Sequence, residues 1–123
     1  MTVFDGLHPA LKALLSEFGF EEPTEPQQAA IPIITEGRHL LLVAPTGIGK
    51  TEAAMLPIIS WILKERPKGI AVLYITPLRA LNRDMLRRLT ALGERLDISV
   101  GVRHADTTPA ERQRLSLDPP QIL

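Results

Sequence analysis

The apolar positions of the chain change period several times, and each change marks an element. Leu7, Leu11, Leu14, Leu15 and Phe18 recur at helical spacing behind Pro9, which suits a first helical turn, and Gly19 follows as a stop, so a short amphipathic helix is predicted over about residues 9 to 18. Thr24-Glu25-Pro26-Gln27 then opens a second helix through Ala29, Ala30, Ile31, Ile33 and Ile34, with Pro32 inside it and Gly37 closing it. Leu40 to Val43 is a continuous apolar run, the signature of a strand buried on both faces. From Ala53 to Leu63 the chain is apolar on almost every side, which predicts a deeply packed helix kinked at Pro57. Ile70 to Thr76 repeats the buried-strand pattern. Leu78, Leu81, Met85, Leu89, Leu92 and Leu96 form one helical stripe with Arg79, Arg83 and Arg87 opposite. Ile98, Val100 and Val102 alternate with polar positions, as in a half-exposed strand toward a sheet edge. Thr108-Pro109-Ala110-Glu111 caps a short helix to about Leu117, Asp118-Pro119-Pro120 stops it, and Gln121-Ile122-Leu123 reads as the first residues of another strand, cut mid-element.

Strand, helix, strand in this order predicts a right-handed parallel crossover and an α/β fold. The turn between the first strand and its helix, Ala44-Pro45-Thr46-Gly47-Ile48-Gly49-Lys50-Thr51, carries the candidate chemistry. The backbone N–H groups of Thr46, Gly47, Ile48 and Gly49 can converge on phosphate oxygens, and the helix that follows adds its positive end. Lys50 supplies a point charge for the outer phosphates, and Thr51 a short hydroxyl for a bridging Mg²⁺. The expected ligand is a Mg-nucleoside triphosphate. The pattern G-x-x-x-x-G-K-[ST] is met except at its first position, which is Ala44. Gln27 has two readings: reciprocal capping with Thr24, or recognition of an adenine N6/N7 edge by its amide. Spacing alone favours the cap.

Composition bounds the rest. The 123 residues are read as one domain, and 14 Lys/Arg against 14 Asp/Glu give no overall basic excess, so any nucleic-acid contact must rest on local patches. There is no cysteine, and His8, His39 and His104 are scattered, so no structural metal is expected. No apolar run approaches the roughly 20 residues that span a bilayer, and a cytoplasmic protein without a membrane partner is the expectation.

A-P-T-G-I-G-K-T, preceded by F-G-F-E-E-P-T-E-P-Q and followed by L-Y-I-T-P-L-R-A-L-N-R-D, resembles the first motor domain of superfamily 2 helicases over nearly the whole chain. T-P-L-R-A-L-N and R-H-A-D-T-T-P-A-E-R-Q-R-L look most like large helicase-related (Lhr-type) proteins, with DEAD-box and Ski2-like helicases as near alternatives. In this family Ala commonly stands where Ala44 does, whereas Ile48 departs from the usual Ser or Thr. The resemblance implies a RecA-like parallel sheet flanked by helices and truncated at the C-terminus, ATP with Mg²⁺ as cofactor, and a Q-motif-like region over 1–37 in which Gln27 reads adenine. It implies nucleic-acid contact through Pro77, Leu78 and Arg79 of motif Ia and through the turn at Asp106 and Thr107, where Ala105 replaces the usual glycine. The carboxylate motif, the Ser-Ala-Thr motif and the second motor domain are expected beyond Leu123, so no complete catalytic set is expected and the chain alone is expected to be inactive. Rival readings are a P-loop module of another kind and a non-catalytic interaction piece.

Overall fold

The computed structural model describes residues 2–44, 50–75, 83–103 and 107–123, apart from the side chains of 83–85. The chain divides into two compact units, Met1–Arg66 and Pro67–Leu123.

In the first unit a 3-10 turn, Val3–Gly6, leads into α1 (Pro9–Lys12), α2 (Glu25–Thr35) and α3 (Lys50–Glu65). The 3-10 turn and α2 pack together, and α2 packs along α3. Phe4, Leu11, Ile31, Leu56, Ile59 and Ile62 are among the side chains that fill the core. At about 25 cal/mol per Å² of apolar surface, such residues supply most of what holds these short helices, which are too brief to be stable alone. One polar tie crosses the core: the His8 N–H donates to the buried Ser60 Oγ at 2.8 Å, fixing the start of α1 against the middle of α3. On the surface, the Lys12 ammonium lies 2.6 Å from Asp5 Oδ1. The lysine's hydrogen bond first, and the Thr2 N–H second, hold the Asp5 carboxyl below its ordinary range.

Three expectations for this unit are corrected. The first helix is α-helical only over Pro9–Lys12. Beyond it the N–H groups of Leu14 and Leu15 bond three residues back, to the carbonyls of Leu11 and Lys12, because apolar residues at mixed spacings of three and four satisfy tight turns as well as an α-helix. Gly19, at φ +88, then ends the run by the expected stop, with Phe20 N–H on Leu15 O and Gly19 N–H on Ser16 O. Leu40 to Val43 is extended but is not a strand, and Leu41 and Val43 are 87% and 85% exposed rather than buried on both faces. Among the described residues no backbone group pairs with this run. Trp61 is 47% exposed: α3 buries one broad face, through Ala53, Leu56, Ile59, Ser60 and Leu63, and leaves Trp61 outside it. The helix passes through Pro57 as a single element.

The second unit contains α4 (Arg83–Leu96), α5 (Pro109–Leu117) and three extended segments around Val72, Val100 and Ile122. Ile122 forms isolated parallel bridges to both Val72 and Val100. Gly101 N–H donates to Ile122 O at 2.9 Å, Ile122 N–H to Ser99 O at 3.0 Å, and Leu123 N–H to Val72 O at 3.0 Å. The pairing sense is the expected one, but among the described residues it forms isolated bridges and no strand. The last residues therefore lie between the other two segments. Leu92 and Leu96 of the predicted stripe are buried while Arg87 is exposed, as the pattern requires. At the end of α4, Asp97 takes φ +58 and the Ile98 N–H returns to Gly93 O at 2.7 Å.

Candidate nucleotide and nucleic-acid site

Lys50 and Thr51 are the first two residues of α3, and both are half-buried. The geometry places an ammonium and a hydroxyl at the start of a helix, whose dipole favours an anion. Thr46, Gly47, Ile48 and Gly49 lie outside the described residues.

Gln27 sits at the third position of α2 and is only 2% exposed. Its Oε1 accepts the Thr24 N–H at 2.9 Å, so the capping interaction predicted from spacing is made. The Thr24 side chain faces the Gln27 N–H in the same capping-box arrangement, although the buried Thr24 Oγ1 makes no full hydrogen bond among the described residues. The Thr24 hydroxyl, buried and without a hydrogen bond among the described residues, is polar capacity at the head of α2, beside the buried Gln27. Because α2 packs on α3, the fold brings the helix carrying Gln27 against the helix that begins with Lys50 and Thr51. The donor set also suits Mg-ATP chemically, with a hard hydroxyl oxygen for Mg²⁺ and a cation for the phosphates. Phe4 is buried in the core of the same unit.

The candidate nucleic-acid residues belong to the second unit. Pro77, Leu78, Arg79 and Asp106 lie outside the described residues. Thr107 is buried immediately before α5. Thr108 and Glu111 form a complete capping box, with Glu111 N–H on Thr108 Oγ1 and Thr108 N–H on Glu111 Oε2, each at 3.2 Å. Two positions escaped sequence reasoning. Ser60 was signalled only as a small polar residue on an otherwise apolar helix face. The close approach at Gly93, where an added Cβ would collide with the Ile98 carbonyl oxygen, had no signal, since a glycine inside a helical stripe looks merely tolerated.

Residues 24–123 match the family model described as DEAD/DEAH box helicase. The ATP-dependent helicase Lhr-Core of Sulfolobus acidocaldarius is 42% identical over 113 residues, covering 81% of this chain and 13% of that protein. The solved structure of Mycobacterium smegmatis helicase Lhr bound to ssDNA and AMP-PNP superposes with a TM-score of 0.82 at 34% identity, covering all of this chain and 17% of that one. The helicase MrfA bound to DNA and AMPPNP superposes with a TM-score of 0.80 at 29% identity, over 94% of this chain and 16% of that one. The chain thus spans less than a fifth of the length of these relatives, all of them helicases. A family model covering residues 24–123, joined by an Lhr-Core relative at 42% identity, shows that the chain belongs to the DEAD/DEAH box helicase family.

Proposed function

We propose that this chain is the nucleotide-gripping part of an Lhr-type ATP-dependent nucleic-acid helicase, with a RecA-like parallel sheet built on the segments around Val72, Ile122 and Val100. Lys50 holds the β and γ phosphates of ATP, the backbone of Thr46 to Gly49 cradles them, Thr51 binds the bridging Mg²⁺, and Gln27 reads the adenine. When bound, the nucleotide supplies a phosphoanhydride whose cleavage drives movement along nucleic acid; the residues here bind and orient it. Pro77, Leu78, Arg79, Asp106 and Thr107 run along the nucleic-acid backbone. The observation that carries the reading is the placement of Lys50 and Thr51 as the opening residues of α3, against which the Gln27-bearing helix packs. Support for the ligands comes from the Lhr and MrfA structures, which contain AMP-PNP and DNA.

Titration of the chain with a fluorescent ATP analogue tests the reading. A charge-assisted contact is worth about 1.5–3 kcal/mol, so Lys50→Ala should raise Kd about ten- to a hundredfold. Equal affinity in the variant and the unaltered chain overturns the assignment.

A further inference from the structure

The balanced charge of the chain conceals a division between its units. Met1–Arg66 holds five Lys/Arg against eight Asp/Glu, and Pro67–Leu123 holds nine against six. Within the second unit the excess is also placed at one end. Val72, Ile122 and Val100 run parallel, so α4 and α5, which connect them in sequence, must both run back against them. The start of each helix therefore stands at the carboxyl end of the extended segments. The exposed side chains of Arg87 and Arg88 lie in the first half of α4. Arg112 is the fourth of the nine residues of α5, and Arg103 follows Val100 by three residues; both are exposed. The described carboxylate at that end is Glu111, whose Oε2 caps Thr108. Glu94, Asp97 and Asp118 stand at the opposite end, along with Lys68 and Arg95.

Arg103 and Arg112 can be placed more closely. A Cβ built on Gly101 would lie 3.1 Å from Leu115 Cδ2 and 2.8 Å from Pro120 Cγ, so that side of the segment faces α5. Arg103, two residues on, shares that side and lies about 6.6 Å further along. Arg112, three residues before Leu115, shares its helix face and lies about 4.5 Å further in the same direction. Two guanidinium groups thus stand at the same end and on the same side of the unit.

We propose that Arg103 and Arg112 form a contact for consecutive phosphates of a single-stranded nucleic acid, extending the path through Thr107 onto α5. The inference rests on the nucleic-acid reading above and adds residues to it. Open α/β sheets place ligands beyond the carboxyl ends of their strands, which is where this charge is gathered. Contacts to phosphate carry no sequence information, so the surface serves any strand equally.

The test is fluorescence anisotropy of the whole chain with labelled oligothymidylate and oligouridylate over a range of salt concentrations. Each phosphate contact contributes about −0.7 to the slope of log K against log salt on single strands, so R103Q/R112Q should flatten the slope by about 1.4. Arg103→Lys with Arg112→Lys should retain it, because a point charge suffices. Lys68→Gln with Arg95→Gln removes two cations from the opposite end and should leave it unchanged. An unchanged slope in R103Q/R112Q, or equal flattening in the Lys68 and Arg95 variant, overturns the inference and leaves the nucleic-acid reading intact. Absence of binding by the unaltered chain, with the ATP analogue still bound, overturns both.

Discussion

The side-chain oxygen of Gln27 accepts the backbone N–H of Thr24 at 2.9 Å, so the residue proposed to read adenine is also a residue that holds the start of α2. Both roles predict loss in Gln27→Ala, and they separate by readout. Loss of the cap should cost about 1 kcal/mol of stability, seen as a lower urea midpoint. Loss of the base contact should weaken ATP much more than GTP, because only adenine offers the donor and acceptor that match the amide. Equal weakening of both nucleotides leaves the cap as its single role.

Stability of the first unit should fall in acid through Asp5. Its folded-state pKa lies below the ordinary carboxylate value, chiefly through Lys12 and then the Thr2 N–H. The stabilisation is therefore complete above that ordinary value and is lost as pH drops through the lower, folded one. Urea midpoints of the unaltered chain and Lys12→Met should differ near neutrality and converge at the acid end. A difference that persists or grows in acid contradicts the assignment.

Ser60 offers the carbonyl-free acceptor that the His8 N–H uses across the core. Ser60→Ala leaves that N–H without its partner, and the part-buried position sets the cost at about 1–2 kcal/mol. Hydrogen exchange at the His8 amide should quicken beyond what the global change explains. An unchanged exchange rate would show that another acceptor takes over.

The helices of the first unit were legible because their ends are chemical: Thr24 with Gln27 at one start, Gly19 and Gly37 at two stops, with φ of +88 and +78. The extended runs were read from apolarity alone, and apolarity does not say what covers a residue. Leu41 and Val43 have the composition of a buried strand but lie exposed, since pairing depends on partners distant in sequence and none of the described residues supplies them. Of the candidate site, Lys50, Thr51 and Gln27 were named from pattern, and the structure places them on packed helices. The charge at the carboxyl end of the second unit was hidden, because it emerges only when two parallel crossovers bring Arg87, Arg88, Arg103 and Arg112 to one end.

Gly93 should tolerate no side chain. A Cβ there would collide with the carbonyl oxygen of Ile98 and approach Val100 Cγ2 to 3.3 Å. Alanine favours a helix interior over glycine by about 0.8–1.0 kcal/mol, whereas forcing backbone apart costs about 1–3 kcal/mol. The clash is with backbone held by the Ile98-to-Gly93 hydrogen bond, so it should win and Gly93→Ala should lower the melting temperature. Gly6→Ala, where a Cβ meets nothing within 4 Å, is the matching control and should change little.

The last prediction concerns Ile122, the residue through which Val72 and Val100 are joined. Its side chain is buried, and the bonds from Gly101 N–H to Ile122 O and from Ile122 N–H to Ser99 O are its own backbone pairing. Ile→Ala at a buried site costs about 2–5 kcal/mol. A unit of this size commands only about 3–8 kcal/mol in total. Ile122→Ala should therefore loosen the second unit as a whole while sparing the first, whose described tie between His8 and Ser60 lies within Met1–Arg66. Native-state hydrogen exchange reads the two separately. Amides of Val72, Tyr74 and Gly101, which donate to Gln121, Leu123 and Ile122, should lose protection together, and that of His8 should keep it. Equal loss in both units would mean that they unfold as one, and loss confined to Gly101 would mean that Ile122 does not organise the segment around Val72.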